Sequence, residues 1–260
     1  MNDLKGKTAL VTGASSGIGA SFARLLASRG ADLVLVARRA ERMTALGEEL
    51  RAAHGVKVTS LSIDLSARGA GLDVFERTEG AGVTVDLLIN NAGFGTHSAF
   101  VDIPWEKTLE QMQLNLVTLT ELTWRFARRM RERGRGHILN VASVGAFQPT
   151  PLYATYGAGK AYVRNFSEAL AYELSGSGVE VCCLCPGATE TEFSEVAGQP
   201  LDRLRKLAFM SADRCARIGL RALLSGRRLV VSGWMNAFAM FLVRLLPRRL
   251  ATFLAAKALG

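Results

Sequence analysis

The feature that most narrows the fold is the alternation of short apolar runs with amphipathic stretches along nearly all of the 260 residues. Thr8-Ala9-Leu10-Val11, Leu33-Val34-Leu35-Val36, Val56–Ile63, Leu87-Leu88-Ile89, His137–Val141 and Val179–Leu184 read as strands, with Arg228–Val231 as a shorter last one. Between them the apolar spacing turns helical, first through Ile18, Phe22, Leu25 and Leu26 up to Gly30, then over Arg39–Ala53. Further helices follow from about Trp105 to Arg133 and over Tyr156–Leu174. Strands that are apolar throughout are buried on both faces, which a parallel sheet covered by helices on each side achieves. The expected fold class is therefore α/β, a doubly wound parallel sheet. One domain is expected over 1–232, followed by a helical, basic, amphipathic extension over 233–260.

The N-terminal residues lead straight into the first strand without a secretory pattern, so a cytoplasmic setting is expected. Cys182 and Cys185 have CxxC spacing, but on a strand residues three apart point to opposite faces, so both are expected as small buried side chains rather than metal ligands. The net charge of +9 is uneven: twelve Lys and Arg against two Asp from Asp202 onward leave the first 201 residues close to neutral. No nucleic-acid module accompanies this charge, and no nucleic-acid partner is expected.

Thr12-Gly13-Ala14-Ser15-Ser16-Gly17-Ile18-Gly19 joins the first strand to the first helix. Glycines let such a turn close and let backbone approach a pyrophosphate, while the helix start offers free N–H groups and a positive dipole end. The second strand ends Val36-Ala37-Arg38-Arg39, with no acid to hold a ribose 2′-hydroxyl. An acid would repel a 2′-phosphate and a guanidinium grips it. The expectation is NADP(H), with Arg38 at the phosphate, assisted by Ser15 and Arg39.

Tyr156 and Lys160 are four apart on a helix and share a face. A free phenol has a pKa of about 10, and a neighbouring ammonium is expected to lower it toward the range useful for proton transfer. Ser143, just after the strand ending at Val141, could hold a substrate oxygen. With Asp64-Leu65, Asn90-Asn91-Ala92-Gly93, Asn115 and Pro186–Thr191, these elements resemble the short-chain dehydrogenase/reductase family in its compact single-domain Rossmann form. The matching motifs span roughly the first two hundred residues. The ending Val36–Arg39 is similar to the branch of acyl-chain and steroid ketone reductases.

The resemblance implies Tyr156 as general acid or base, with Lys160 on the nicotinamide ribose and tuning Tyr156. It implies Ser143 on the carbonyl and Asn115 holding a water in a proton relay. For the cofactor it implies Gly13, Ser15, Ser16, Gly17, Ile18 and Gly19 at the phosphates, and Asp64 and Leu65 beside the adenine. Asn91, Ala92 and Gly93 line its path, and Pro186, Gly187, Thr189 and Thr191 meet the nicotinamide amide. Phe94, Phe147, Leu152, Tyr153, Phe193 and Val196 are the candidate substrate pocket, mostly apolar and suited to a bulky hydrophobic ketone or alcohol. The implied partners are this small molecule and further copies of the chain, as dimer or tetramer.

Two other functional classes stand beside this one: an epimerase or dehydratase using bound nicotinamide, and a non-catalytic NADP-binding or membrane-surface adaptor. The uncharged stretch Leu229–Val243 is shorter than the ~20 residues of a spanning helix. The tail therefore either lies at the inner membrane surface or packs on its own domain or a partner subunit, covering the pocket.

Overall fold

In the computed structural model, which describes residues 4–200 and 209–259, nine strands alternate with ten α-helices. Asp202, Arg203, Arg205 and Lys206, counted above in the basic tail, lie outside the described residues. The strands are β1 (Thr8–Thr12), β2 (Asp32–Ala37), β3 (Val58–Ser62), β4 (Leu87–Asn90), β5 (Gly136–Val141), β6 (Val179–Cys185), β7 (Thr189–Glu190), β8 (Met210–Ser211) and β9 (Leu229–Val231). The helices are α1 (Gly17–Ala27), α2 (Ala40–His54), α3 (Ala70–Glu76), α4 (Trp105–Met112), α5 (Leu119–Glu132), α6 (Ala154–Glu173), α7 (Phe193–Ala197), α8 (Ala212–Leu224), α9 (Trp234–Val243) and α10 (Arg248–Leu259).

Seven strands form one parallel sheet in the order β3-β2-β1-β4-β5-β6-β9, and β7 pairs with β8 outside it. The chain winds outward from β1 to β3 and returns to place β4 against β1. At that reversal the connections after β1 and β4 leave in opposite directions and open a crevice at the strands' C-terminal ends. Successive side chains feed two cores. Val11, Leu33, Leu35 and Ile89 pack with Phe22 and Leu26 of α1, Leu50 of α2 and Leu220 of α8. Leu10, Val34, Leu88 and Ile138 pack with Val74 of α3, Leu122 and Phe126 of α5 and Leu174 just after α6. Burying each such large side chain contributes about 1.5–3 kcal/mol, so both faces demand cover. Cys182 joins the first core, while Cys183 and Cys185 face the other side with Val163 and Leu119.

Buried polar groups lock the middle strands to their helices. The Asn90 amide donates to Thr123 Oγ1 and to Asn140 Oδ1, both at 2.9 Å. Asn140 donates in turn to Ser167 Oγ at 3.0 Å, and Ser167 to the Val163 carbonyl. The expected single helix from Trp105 to Arg133 is not uniform: Gln113–Thr118 opens into a π-turn between α4 and α5. Such turns widen a helix where a side chain is held by something outside it. Here Asn115 is held by Phe94, as described below.

The tail forms two helices. α9 is exposed on most sides, with Trp234 76 % exposed, whereas α10 buries Ala251 and Ala255. Among the described residues no helix is long and apolar enough to cross a membrane.

Candidate active site

The Gly-rich turn after β1 is folded so tightly that its glycines admit no side chain. Gly13 has φ +66°, and a Cβ there would stand 2.8 Å from Asn91 Nδ2 and 2.9 Å from Ala92 Cα. A Cβ on Gly19 would collide with the Gly13 carbonyl oxygen, and one on Gly17 would meet Thr191 Cγ2 at 2.8 Å. Thr12 Oγ1 accepts from the Asn91 and Ala92 amides at 3.0 Å each, and Asn91 Nδ2 donates back to the Thr12 carbonyl. Thr12, Asn91 and Ala92 thus bind the two connections at the sheet reversal to each other. The N-cap of α1, Ser16, is extended and makes no side-chain cap, and the first turn holds no acid. The open N–H groups and dipole end fit a phosphate.

Two arginines follow β2, and the structure gives them different contacts. Arg39 donates to Ser15 Oγ at 3.2 Å and to Ser16 Oγ at 2.6 Å. Arg38, expected as the main phosphate ligand, instead stands 3.5 Å from Glu110 Oε1, largely exposed. Arg39 also pairs with Glu192 at 2.7 Å, and Arg42 pairs with the same carboxylate. These two arginines, Arg42 first, hold the Glu192 carboxyl at about 2. Glu192 and Arg42 were missed in the sequence, because nothing in the local pattern of either segment announces a contact across 150 residues.

Asp64 Oδ1 accepts from the Ser66 amide at 3.0 Å and from Ser66 Oγ at 2.7 Å. Burial works against its charge, but those bonds hold its carboxyl below the ordinary value. Leu65 is buried in the second core, and its carbonyl accepts from Thr118 Oγ1.

Around Tyr156 the expected catalytic residues come together. The Ser143 side chain acts on the phenol, and the Lys160 ammonium lies 5.6 Å from the ring centroid. Lys160 is 4 % exposed and donates to the Val141 carbonyl at 2.8 Å. Burial pushes Lys160 down from 10.5 to about 8. Burial also pushes the Tyr156 phenol above its ordinary value, and the Ser143 side chain pulls it back. Burial is thus the largest influence on the phenol, and Ser143 is the group acting against it.

Asn115, 2 % exposed, has both polar ends committed to one neighbour. Its Oδ1 accepts from the Phe94 amide at 3.2 Å and its Nδ2 donates to the Phe94 carbonyl at 2.8 Å. This clamp fixes the Gly93–Gly95 segment. A Cβ on Gly93 would lie 2.9 Å from Asn115 Oδ1 and 3.5 Å from Lys160 Nζ.

Of the expected pocket residues, Tyr153 and Phe193 gather at Tyr156, with ring centroids 5.7 and 5.1 Å away. His97 joins them against Tyr153 at 5.1 Å, and Tyr153 donates to Gln199 Oε1. Leu152 is the one non-glycine with positive φ among the described residues, at 65°, and its carbonyl accepts from the Ser98 amide. Val196 is mostly exposed. The structure does not bring Phe94 and Phe147 to the ring cluster. Lys107 covers the Phe94 ring at 4.3 Å, and Phe147 packs against the group of Leu119, Val163, Cys183 and Cys185, under Arg164 at 4.6 Å.

The loop after β6 closes the site. Thr189 Oγ1 donates to the Gly187 carbonyl, and the Phe193 amide donates to Thr191 Oγ1. The Gly187 amide, next to Pro186, donates to Ser232 Oγ at 3.3 Å, and a Cβ on Gly187 would collide with Asn236. Ser232 and Asn236 carry no motif, so the sequence did not show them.

Comparison with known proteins places this geometry. The profile of the short chain dehydrogenase family matches residues 7–201. A 7beta-hydroxysteroid dehydrogenase of Collinsella aerofaciens is 31% identical over 212 residues, 81% of this chain and 80% of its own. A solved 7beta-hydroxysteroid dehydrogenase structure superposes with a TM-score of 0.89 at 27% identity, over 98% of this chain and 99% of that one. A short-chain dehydrogenase from Sphingobium yanoikuyae, solved in complex with NADPH, gives 0.82 at 34% identity, over 93% and 97%. The chain belongs to the short chain dehydrogenase family and is an NAD(P)-dependent dehydrogenase/reductase acting on CH–OH or C=O groups.

Proposed function

We propose that the protein is an NADPH-dependent reductase of bulky hydrophobic ketones or aldehydes. The observation that carries this reading is the hydroxyl pair Ser143–Tyr156, backed by the buried Lys160 and walled by Tyr153 and Phe193. When bound, the nicotinamide supplies the hydride. Ser143 donates to the substrate oxygen and orients it. Tyr156 delivers the proton to that oxygen as negative charge develops there, and Lys160, at about 8, is matched to restoring it near neutral pH. Asn115 keeps Gly93 against Lys160 and contributes to the relay.

The preference for NADPH rests on Arg39 at Ser15 and Ser16, with Arg38 beside it and no acid at the end of β2. Reduction is the working direction, because cells keep NADPH reduced. The aromatic surround, without a charged anchor at Tyr156 among the described residues, suits an apolar substrate, and the steroid-acting relative fits that class. Phe100, Trp105, Leu109, Met112 and Trp124, exposed around α4 and α5, support assembly into a homo-oligomer.

The test is fluorescence titration with NADPH and NADH. NADPH is expected to bind at least roughly tenfold tighter, as for a charge-assisted hydrogen-bonded contact. Arg39→Ala is expected to remove most of that margin and Arg38→Ala a smaller part. Equal binding of the two nucleotides by the wild type would overturn the cofactor assignment. A ketone panel answered only by small polar sugars would overturn the substrate class.

A further inference from the structure

The two C-terminal helices present a surface that a water-soluble monomer does not leave bare. On α9 the exposed side chains include Trp234, Met235, Phe238, Phe241 and Leu242, and Leu245 follows in the turn. That helix touches the body along a narrow strip, with Asn236, Met240 and Val243 partly covered. α10 is two-sided. Ala251 and Ala255 face inward, while Arg249, Leu250, Phe253, Leu254 and Lys257 fall on the opposite, exposed side. Arg249 and Lys257 stand four residues before and after Phe253, and Lys257 Nζ lies 4.9 Å from the Phe253 ring centroid. Arg244 and Arg248 bracket the turn between the helices.

We infer that α9 and α10 form a docking surface for an anionic lipid bilayer. Charge decides between a bilayer and a second copy of the chain. From Trp234 to the end the chain carries Arg244, Arg248, Arg249 and Lys257 and not one acid. Packing this face against itself would bring cations together in a dry interface, at a cost no local acid offsets. A lipid surface accepts both components: aromatic and aliphatic side chains enter the acyl boundary while the long basic side chains reach up to the phosphates.

The placement ties this surface to the catalytic centre. The inner side of α9 supplies Asn236, which abuts Gly187, and the last carbonyl of α10, at Leu259, lies 3.1 Å from His97 Nε2. His97 packs on Tyr153, which packs on Tyr156. The lipid-facing helices thus form one rim of the site, so a hydrophobic substrate of the class proposed above can pass from the bilayer without crossing water. This last step rests on that substrate reading; the docking itself does not.

Vesicle co-sedimentation of the full chain, without substrate, tests the docking separately from the chemistry. The protein is expected to sediment with phosphatidylglycerol-containing vesicles, less as salt rises, and hardly at all with pure phosphatidylcholine. Arg249→Glu with Lys257→Glu, and separately Phe238→Ser with Phe241→Ser, are each expected to raise the lipid needed for half-binding by roughly tenfold. NADPH binding should be unchanged in both variants and reports that they fold. Absence of sedimentation with anionic vesicles at low salt would overturn the inference. So would tail variants that split an oligomer, seen by sedimentation equilibrium, while vesicle binding stays at the wild-type level.

Discussion

Lys160 shows how burial sets a group for its task. Its ammonium donates to the Val141 carbonyl, and burial pushes it from 10.5 down to about 8. Below about pH 8 the folded and unfolded chains both carry that proton, and the folded state bears the full desolvation cost. Between 8 and 10.5 the unfolded chain holds more protons, so stability attributable to this residue rises with pH. Comparison of wild type with Lys160→Met by thermal unfolding should show the wild type gaining on the variant from pH 7 to about pH 9.5. The gain is on the order of 2 kcal/mol, and a constant difference would mean the amine is not buried as described. Glu192 acts in the opposite sense on ligand binding. Its carboxylate already occupies Arg39 and Arg42, so a 2′-phosphate must displace it. Glu192→Gln is expected to tighten NADPH by roughly two- to fivefold, the scale of an exposed ion pair. NADH should be unmoved in the same titration.

At the level of elements, the start of α6 carries two glycines with opposite demands. A Cβ on Gly157 would collide with Thr150 Oγ1, and Thr150 also holds the Tyr153 carbonyl and amide. A Cβ on Gly159 would meet only the mobile end of Leu116, at 3.3 Å. Gly159→Ala is therefore expected to stabilise the protein by up to about 1 kcal/mol through helix propensity. Gly157→Ala should destabilise it despite the same propensity gain. Melting temperatures moving in the same direction would contradict this account. The sequence marks these glycines as weak points of the helix but cannot distinguish them, since the difference lies in side chains brought over from other segments. The π-turn at Asn115 was hidden for the same reason: its spacing looks helical, and what opens it is Phe94, 21 residues earlier. By contrast β1, β2 and β4 to β6 were legible within a residue or two, because strands buried on both faces are mostly apolar.

For the whole molecule, the division between what was readable and what was not follows range. The juxtaposition of Tyr156, Lys160 and Ser143 was legible because the helix period and a strand end fix their positions. The contact of Arg39, rather than Arg38, with Ser15 and Ser16 was not, because it depends on how the turn after β1 lies against the start of α2. The tail's apolar character was plain in the sequence, while its outward face became visible only once α10 was seen to use Ala251 and Ala255 for its inner contacts. The same global packing has a consequence for the sulfur atoms of β6 and α8. All four cysteines are reduced and buried, and burial pushes the Cys182 thiol up to about 12 and the Cys215 thiol up to about 11. A thiolate is the species that alkylating dyes capture. The native protein is thus optically silent to such dyes, its rate of labelling is a clock for opening of the core, and one cysteine introduced on the surface becomes a unique attachment point for a probe.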